Sequence, residues 1–428
     1  MPILFAVLIA LLAGPARAES VAGVTFVAGV RAEALATFTV SCDACAWGVA
    51  GREAVVLSLA LDGRYVQHLP LVRTGRAEYR VMLGRVEPGT HNVSIVHDPQ
   101  LTARELRGGG QAVVYTVAIS LIDAESRDYT AISLAPIIYA RPDTVGLYTD
   151  VPVFMWYEIA PTARGTRYRY SVIFTNEDGG TAADRLMATW GRTTDIEYLY
   201  SVELDDKGNI VDEDIQGPNH EILPFTGRRE GRHPLLWVST SNNMVLPQGT
   251  TQVRHAPAPV LFPLHDVSRE AVMDAHPWLY DVMAAELTRE GKIAADPPAG
   301  QGTITDPRRF VFVEGCGQLA SKALAFAVRV GPQWISSDRG QRAYRIVRDG
   351  CFRAAIPLPA GATMKDVRSI RAEVFAREGK THTAPARLTR INTVFTLDQH
   401  FVPGPPTLHW EGVTELRPGG PPFDLPIP

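Results

Sequence analysis

An all-β chain made of several sandwiches is what this sequence predicts, and three observations carry the prediction. Short runs of alternating apolar and polar residues recur along most of its length, as in Tyr168-Arg169-Tyr170-Ser171-Val172-Ile173-Phe174. Glycine and proline, 36 and 32 residues, separate those runs at turn positions. Helical spacing of apolar residues is clear in only one stretch, near 268–291.

Residues 1–18 have the pattern of a cleaved secretory signal peptide. Met1 to Gly14 is almost wholly apolar, Ala16 and Ala18 supply a small-residue cleavage site, and Glu19-Ser20 opens a polar mature chain. A basic segment ahead of the apolar stretch is missing. That stretch is too short for a hydrocarbon core of about 30 Å, and no later run reaches about 18 apolar residues. The expected location is secreted or periplasmic, with no transmembrane segment in the mature chain. Apolar content of 46% and charged content of 21% are ordinary for globular domains. A formal net charge of −4 gives no electrostatic reason to expect nucleic acid.

Residues 19–125 read as one β-sandwich. Val55-Val56-Leu57-Ser58-Leu59-Ala60-Leu61 is a strand, Asp62-Gly63 a tight turn, and Tyr79–Leu83 and His91–Val96 further strands about a Glu87-Pro88-Gly89-Thr90 turn. Strands at this spacing resemble immunoglobulin-like accessory modules, which act as spacers or binding platforms. Residues 126–264 form a second β unit, with a hairpin turn at Asp206-Lys207-Gly208-Asn209. In the helical bracket and linker, 265–302, Ser268 suits an N-cap and Pro277 the first position of a helix bearing Leu279, Val282, Met283 and Leu287. Residues 303–412 give a C-terminal β domain, and the Pro/Gly-rich tail 413–428 reads as irregular.

Four cysteines fall into two groups: Cys316 and Cys351 are expected to be bonded, while Cys42 and Cys45 read as a structural bridge or inert thiols. In an exported chain an even count favours disulfides. Cys42 follows a strand-like run, whereas a redox C-x-x-C needs a helix N-terminus to lower its thiol pKa.

No high-specificity catalytic motif is present. The densest polar region is 174–243. Within it Asp195 and Glu197 stand two apart on a predicted strand, so both carboxylates face one side. Such a pair favours a divalent cation, a bound arginine or a raised pKa on one member. The plainer alternative places both on a wet strand face with Ile196 inside.

An alternating aromatic strand is followed by the acidic turn Asn176-Glu177-Asp178-Gly179, then Gly191-Arg192-Thr193-Thr194-Asp195-Ile196-Glu197, then His220 and Gly231-Arg232-His233-Pro234. That order resembles the necrosis-inducing-like proteins and the vacuolar-sorting-type β-sandwich proteins. The resemblance implies a jelly-roll-like central sandwich with a divalent metal, Ca²⁺ or Mg²⁺, held by Asp178, Asp195, Glu197 and His220. The candidate ligand-binding residues are Glu177, Asp178, Trp190, Arg192, His220 and His233, of which the resemblance itself matches Asp178, His220 and His233. Arg192 and Thr194 stand where the family has histidines and Ile196 where it has tryptophan; arginine is no metal ligand. The expected function is non-catalytic binding of a glycan, envelope component or protein partner through the central domain, with Trp190, Tyr198 and Tyr200 as candidate stacking surfaces. The alternative is a divalent-metal-assisted hydrolase acting on polysaccharide or a lipid head group.

Overall fold

The structure, a computed structural model, describes residues 20–144, 146–177, 180–380 and 383–428. The expected leader therefore lies outside the described residues. The chain divides into two compact units, one of Met1–Gly179 and Asp195–Pro263, the other of Gly180–Thr194 and Leu264–Pro428.

The first unit opens with seven strands: β1 (Ser20–Ala28), β2 (Ala32–Cys42), β3 (Val56–Leu61), β4 (Arg64–Pro70), β5 (Gly75–Val86), β6 (Gly89–His97) and β7 (Val113–Asp123). They form a four-stranded sheet, β1-β6-β3-β4, and a three-stranded sheet, β5-β2-β7. Alternation explains the packing, because Phe26, Phe38, Leu57, Leu59 and Ile95 all point into one core. Asp62 and Gly63 both take positive φ, 52° and 75°, as a two-residue hairpin between β3 and β4 requires. Cys42 and Cys45 are disulfide-bonded and buried at the end of β2, on a strand and its turn.

A short helix, α1 (Tyr129–Ser133), leads into β8 (Ile137–Tyr139), β9 (Pro152–Thr162) and β10 (Gly165–Phe174). Segment 180–194, with α2 (Ala183–Trp190), then leaves this unit for the second one. The first unit resumes with β11 (Asp195–Leu204), β12 (Ile210–Gln216), β13 (Ile222–Pro224), β14 (Arg229–Glu230), β15 (His233–Val238), β16 (Val245–Leu246), β17 (Arg254–His255) and β18 (Val260–Leu261). Strands β9 to β13 run as an antiparallel meander in a six-stranded sheet closed by β18, and β14-β15-β8-β17 form the facing sheet with β16 on β15. Between them Tyr157, Tyr170 and Tyr200 lie in a row, adjacent ring centroids 6.0 Å apart. The hairpin after β11 forms because Asp205 accepts from the backbone N–H groups of Lys207 and Asn209.

The two sandwiches of this unit are joined by backbone pairing. Met82 N donates to Ala256 O (2.8 Å), and Ala258 N donates to Arg80 O (3.1 Å). At this junction His255 is buried and hydrogen-bonds His68 O through Nδ1 (3.2 Å). Burial, aided by the nearby His68, pushes the His255 pKa down to about 3. Above pH 6.5 the ring is neutral in both the folded and the unfolded chain. Below that, the unfolded chain binds a proton that the folded unit refuses until about pH 3. This group alone is therefore expected to remove about 1.4 kcal/mol of stability per pH unit as pH falls through that window. Urea midpoints of wild type and His255→Asn between pH 7.5 and 4.5 check this. The substitution should flatten the dependence, and parallel curves would count against it.

The second unit contains α3 (Ala271–Ala275), α4 (Trp278–Arg289) and eight strands: β19 (Phe310–Gln318), β20 (Ala323–Val330), β21 (Gln333–Ser336), β22 (Gly350–Pro357), β23 (Val367–Phe375), β24 (Ala386–Phe395), β25 (Trp410–Leu416) and β26 (Phe423–Pro426). Two four-stranded sheets, β22-β19-β24-β25 and β21-β20-β23-β26, enclose its core. Cys316 and Cys351 face each other across β19 and β22 and are disulfide-bonded. The predicted helical residues Leu279, Val282, Met283 and Leu287 are all buried on α4. Ser268 is no cap: its hydroxyl donates to the buried Glu314 carboxylate (2.5 Å). The tail is not irregular either. Phe423 to Pro426 pairs with β23, because Phe423 and Leu425 alternate with Asp424 once the prolines at 421 and 422 are past.

Arg353, 0% exposed, lies at the centre of a polar network in this unit. It donates to Asp274 Oδ1 (2.8 Å) and Oδ2 (2.5 Å), Glu314 Oε2 (2.7 Å) and Tyr280 Oη (2.8 Å). Burial opposes its charge, yet the carboxylates hold its pKa above the ordinary value. Gly191 ends α2 with φ 66°, and a Cβ there would meet Arg353 Cγ at 2.8 Å, so both conformation and space call for glycine.

Candidate functional site

Asp195 and Glu197 do share one face of β11, and it is the inner one. Asp195 pairs with Phe174 and Glu197 with Val172, both core residues, and cross-strand partners project to the same side. A register shift opposite Tyr170 and Ser171 leaves Leu199 extra in the strand and reverses its facing order. The carboxylates are consequently 2% and 7% exposed, which removes the wet-face alternative. Ile196 is buried on the opposite face.

An asparagine answers the first carboxylate. Asn243 Nδ2 donates to Asp195 Oδ2 (2.9 Å) and Asp150 Oδ1 (3.2 Å), and Asp150 is also paired with Arg141 (3.1 Å). Glu197 is met by Gln216. In the amide orientation that satisfies its neighbours, Gln216 donates to Glu197 Oε2 (3.2 Å) and Tyr198 O (3.0 Å) and accepts from His220 Nδ1 (2.8 Å). His220 itself is exposed. Among the described residues no three or more His, Cys, Asp or Glu side chains are grouped to hold a metal ion. The expected set of Asp178, Asp195, Glu197 and His220 is thus not assembled from its three described members, and Asp178 lies outside the described residues.

The remaining expected ligand residues are dispersed. Glu177 is half-buried in the loop after β10. His233 is no surface ligand: it is buried, with Nδ1 bonded to Ala135 O (2.8 Å) and Nε2 to Glu33 Oε2 (3.0 Å), which ties β15 to β2. Trp190 and Arg192 belong to the second unit, at the end of α2. Tyr200 is a core residue, whereas Tyr198 is half-buried with Arg169 over its ring at 5.3 Å.

An open cleft in the first unit went unrecognised in the sequence. It has a volume of about 530 Å³ and is lined mainly by Arg64 and Tyr65 of β4, Tyr139 of β8, Arg228, Glu230 and Arg254. Thr250, Thr251 and Gln252 complete its wall. Tyr65 is 36% exposed, and its hydroxyl is fixed by His68 Nδ1 (2.6 Å) and Arg254 N (3.2 Å). Burial pushes the Tyr65 phenol up to about 12, so it stays protonated. Arg254 donates to Glu230 (2.7 Å), and Arg64 reaches the same carboxylate at 3.5 Å. Burial works to raise the Glu230 carboxyl, but these two cations hold it below its ordinary value. The Arg228 guanidinium has no hydrogen-bond or ion-pair partner among the described residues. Three guanidinium groups against one carboxylate make the cleft donor-rich and positive.

No protein-family model matches the chain, and no curated protein matches it. Among solved structures it is similar to a ruminal GH26 endo-β-1,4-mannanase at 10% identity and TM-score 0.17, over 27% of this chain and 20% of that one. It is also similar to a Podospora anserina GH26-CBM35 β-(1,4)-mannanase at 13% identity and TM-score 0.18, over 32% and 28%. A third is the CBM36-1 domain of a multidomain xylanase from the hindgut metagenome of Trinervitermes trinervoides, at 12% identity and TM-score 0.18, over 29% and 91%. The chain thus spans less than a third of either mannanase. Among the described residues no helix is long and apolar enough to cross a membrane.

Proposed function

We propose that this is an exported, non-catalytic binding protein that takes a glycan of the cell envelope or its surroundings in the cleft of the first unit. The observation that carries the reading is the lining of that cleft. A half-exposed tyrosine ring, an unpaired arginine and several side-chain amide and hydroxyl groups suit sugar rings and their hydroxyl or carboxylate substituents. Catalysis is the weaker reading on the same lining. Glycoside hydrolysis ordinarily needs two carboxyl groups flanking the bond, and Glu230, the sole carboxylate lining the cleft among the described residues, is engaged by arginine. Asp195 and Glu197, the residues a metal-assisted hydrolase would use, lie outside that lining and face the interior.

Affinity electrophoresis against a panel of neutral and acidic polysaccharides tests the proposal. Retardation by at least one of them is expected, with Tyr139→Ala and Arg228→Ala each weakening it about tenfold, as truncation of an interface anchor does. Release of reducing ends from the retarding polysaccharide would replace binding by hydrolysis. Migration unchanged across the whole panel would refute glycan binding and leave a protein partner.

A further inference from the structure

A second polar feature lies within the second unit and does not depend on the glycan reading. Trp190, at the end of α2, is half-buried and is approached by three guanidinium groups. Arg348 stacks on the indole with its Cζ 3.4 Å from the ring centroid, and Arg192 and Arg269 stand at 5.4 and 5.6 Å. One carboxylate, Glu270, feels the charge of all three but is in contact with only one. Glu270 accepts from Arg192 Nε (3.0 Å), and the other Arg192 contact is with the Thr194 carbonyl. Neither Arg269 nor Arg348 has a hydrogen-bond or ion-pair partner among the described residues, and Arg348 Nη2 is a buried donor with nothing to accept from it.

The charges do not balance. Counting Arg353 with its partners Asp274 and Glu314, four cations stand against three carboxylates, and only Arg192 and Arg353 are ion-paired among the described residues. An unpaired buried guanidinium donor is costly, since its desolvation is not repaid by a hydrogen bond. Burial, together with repulsion from Arg269 and Arg192, pushes the Arg348 pKa down to about 9. Stacking on Trp190 holds the guanidinium plane fixed, with Nη2 an unsatisfied donor that an oxyanion would satisfy.

We infer that Trp190, Arg192, Arg269 and Arg348 form an oxyanion-binding site, suited to a carboxylate such as that of an acidic sugar or to a phosphate group. Carboxylate and phosphate present the same acceptor geometry to an arginine fork. The site is therefore defined by the oxyanion, and the probes separate its two sources.

The test uses the full mature chain in a calorimetric titration at constant ionic strength. Glucuronate, inorganic phosphate and neutral glucose are the probes, and wild type, Arg269→Gln, Arg348→Gln and the exposed control Arg342→Gln are the proteins. Wild type is expected to bind at least one oxyanion and not glucose. Arg348→Gln and Arg269→Gln should each raise Kd at least tenfold, and Arg342→Gln should leave it within twofold. Arg269 is half-exposed, so its variant keeps the result readable should Arg348→Gln fold poorly. Glucuronate binding without phosphate would assign an acidic sugar, and phosphate binding without glucuronate a phosphorylated ligand. No oxyanion binding to wild type, or equal Kd in wild type and Arg269→Gln, would overturn the site. Because the Arg228→Ala cleft variant should keep this binding intact, failure here and failure of the glycan cleft are distinguishable.

Discussion

Replacing Arg353 by methionine is expected to lower the thermal midpoint of the second unit by roughly 6–20 °C, the largest effect of any single change considered. Arg353 is wholly buried and donates to both Asp274 and Glu314. Methionine fills much of the same volume but leaves those carboxylates without their cation. Removing one partner of a buried ion pair costs about 3–5 kcal/mol, and a unit of this size loses roughly 2–4 °C per kcal/mol. Burial already pushes the Asp274 carboxyl up against the pull of Arg353, so loss of the cation should raise it further. Calorimetry of wild type, Arg353→Met and Arg353→Met/Glu314→Gln checks the assignment. Neutralising Glu314 should recover part of the loss, since the two residues form one network. A midpoint in Arg353→Met within about 2 °C of wild type would show that the network contributes little net stability, as some buried ion pairs do.

Truncating Asn243 is expected to destabilise the first unit by about 2–4 kcal/mol, through loss of a donor to buried carboxylates and through its backbone. Its amide is shared between Asp195 and Asp150, and it is fully buried. Its φ is 57°, a left-handed conformation that asparagine tolerates better than alanine. Alanine removes both advantages, whereas glycine removes only the donor. Urea unfolding should therefore rank wild type above Asn243→Gly and Asn243→Gly above Asn243→Ala, the last step being about 1 kcal/mol. Equal midpoints for wild type and Asn243→Gly would mean that the amide is not what holds the two carboxylates together.

The strands were legible because alternation survives locally. The runs about Val56–Leu61 and Gly165–Phe174 name their inward residues by parity alone, and Asp62-Gly63 carries its turn chemistry in two letters. The even cysteine count favours disulfides, and the structure supplies the connectivity, Cys42 with Cys45 and Cys316 with Cys351. Parity failed at β11. Counting by two from Tyr200 puts Asp195 and Glu197 outside, and the extra residue at Leu199 puts them inside. A bulge of this kind leaves no mark in a single sequence.

Long-range placement was also hidden. Segment 180–194 reads as a continuation of the central sandwich, yet it belongs to the second unit. Trp190 and Arg192 therefore looked like companions of Asp195 and proved to be neighbours of Arg269 and Arg348. The cleft gathers residues from β4, β8 and the loops about β14 and β17, so no local motif marks it. The tail strand was obscured by its prolines and glycines, which sit in the approach to β26 and at its last residue.

If the proposed glycan cleft is right, two roles are separated within one unit: Asp195 holds structure and Arg228 contacts ligand. The most direct test is the dissociation constant of the tightest-binding polysaccharide, measured for Asp195→Asn and Arg228→Ala at a temperature where both are folded. The expected outcome is a Kd within twofold of wild type for Asp195→Asn, although its thermal midpoint falls. Arg228→Ala should show a Kd about tenfold weaker at an unchanged midpoint, the behaviour of an interface anchor on a stable scaffold. A Kd lost in Asp195→Asn and kept in Arg228→Ala would contradict the account and return the functional site to the Asp195–Glu197 pair.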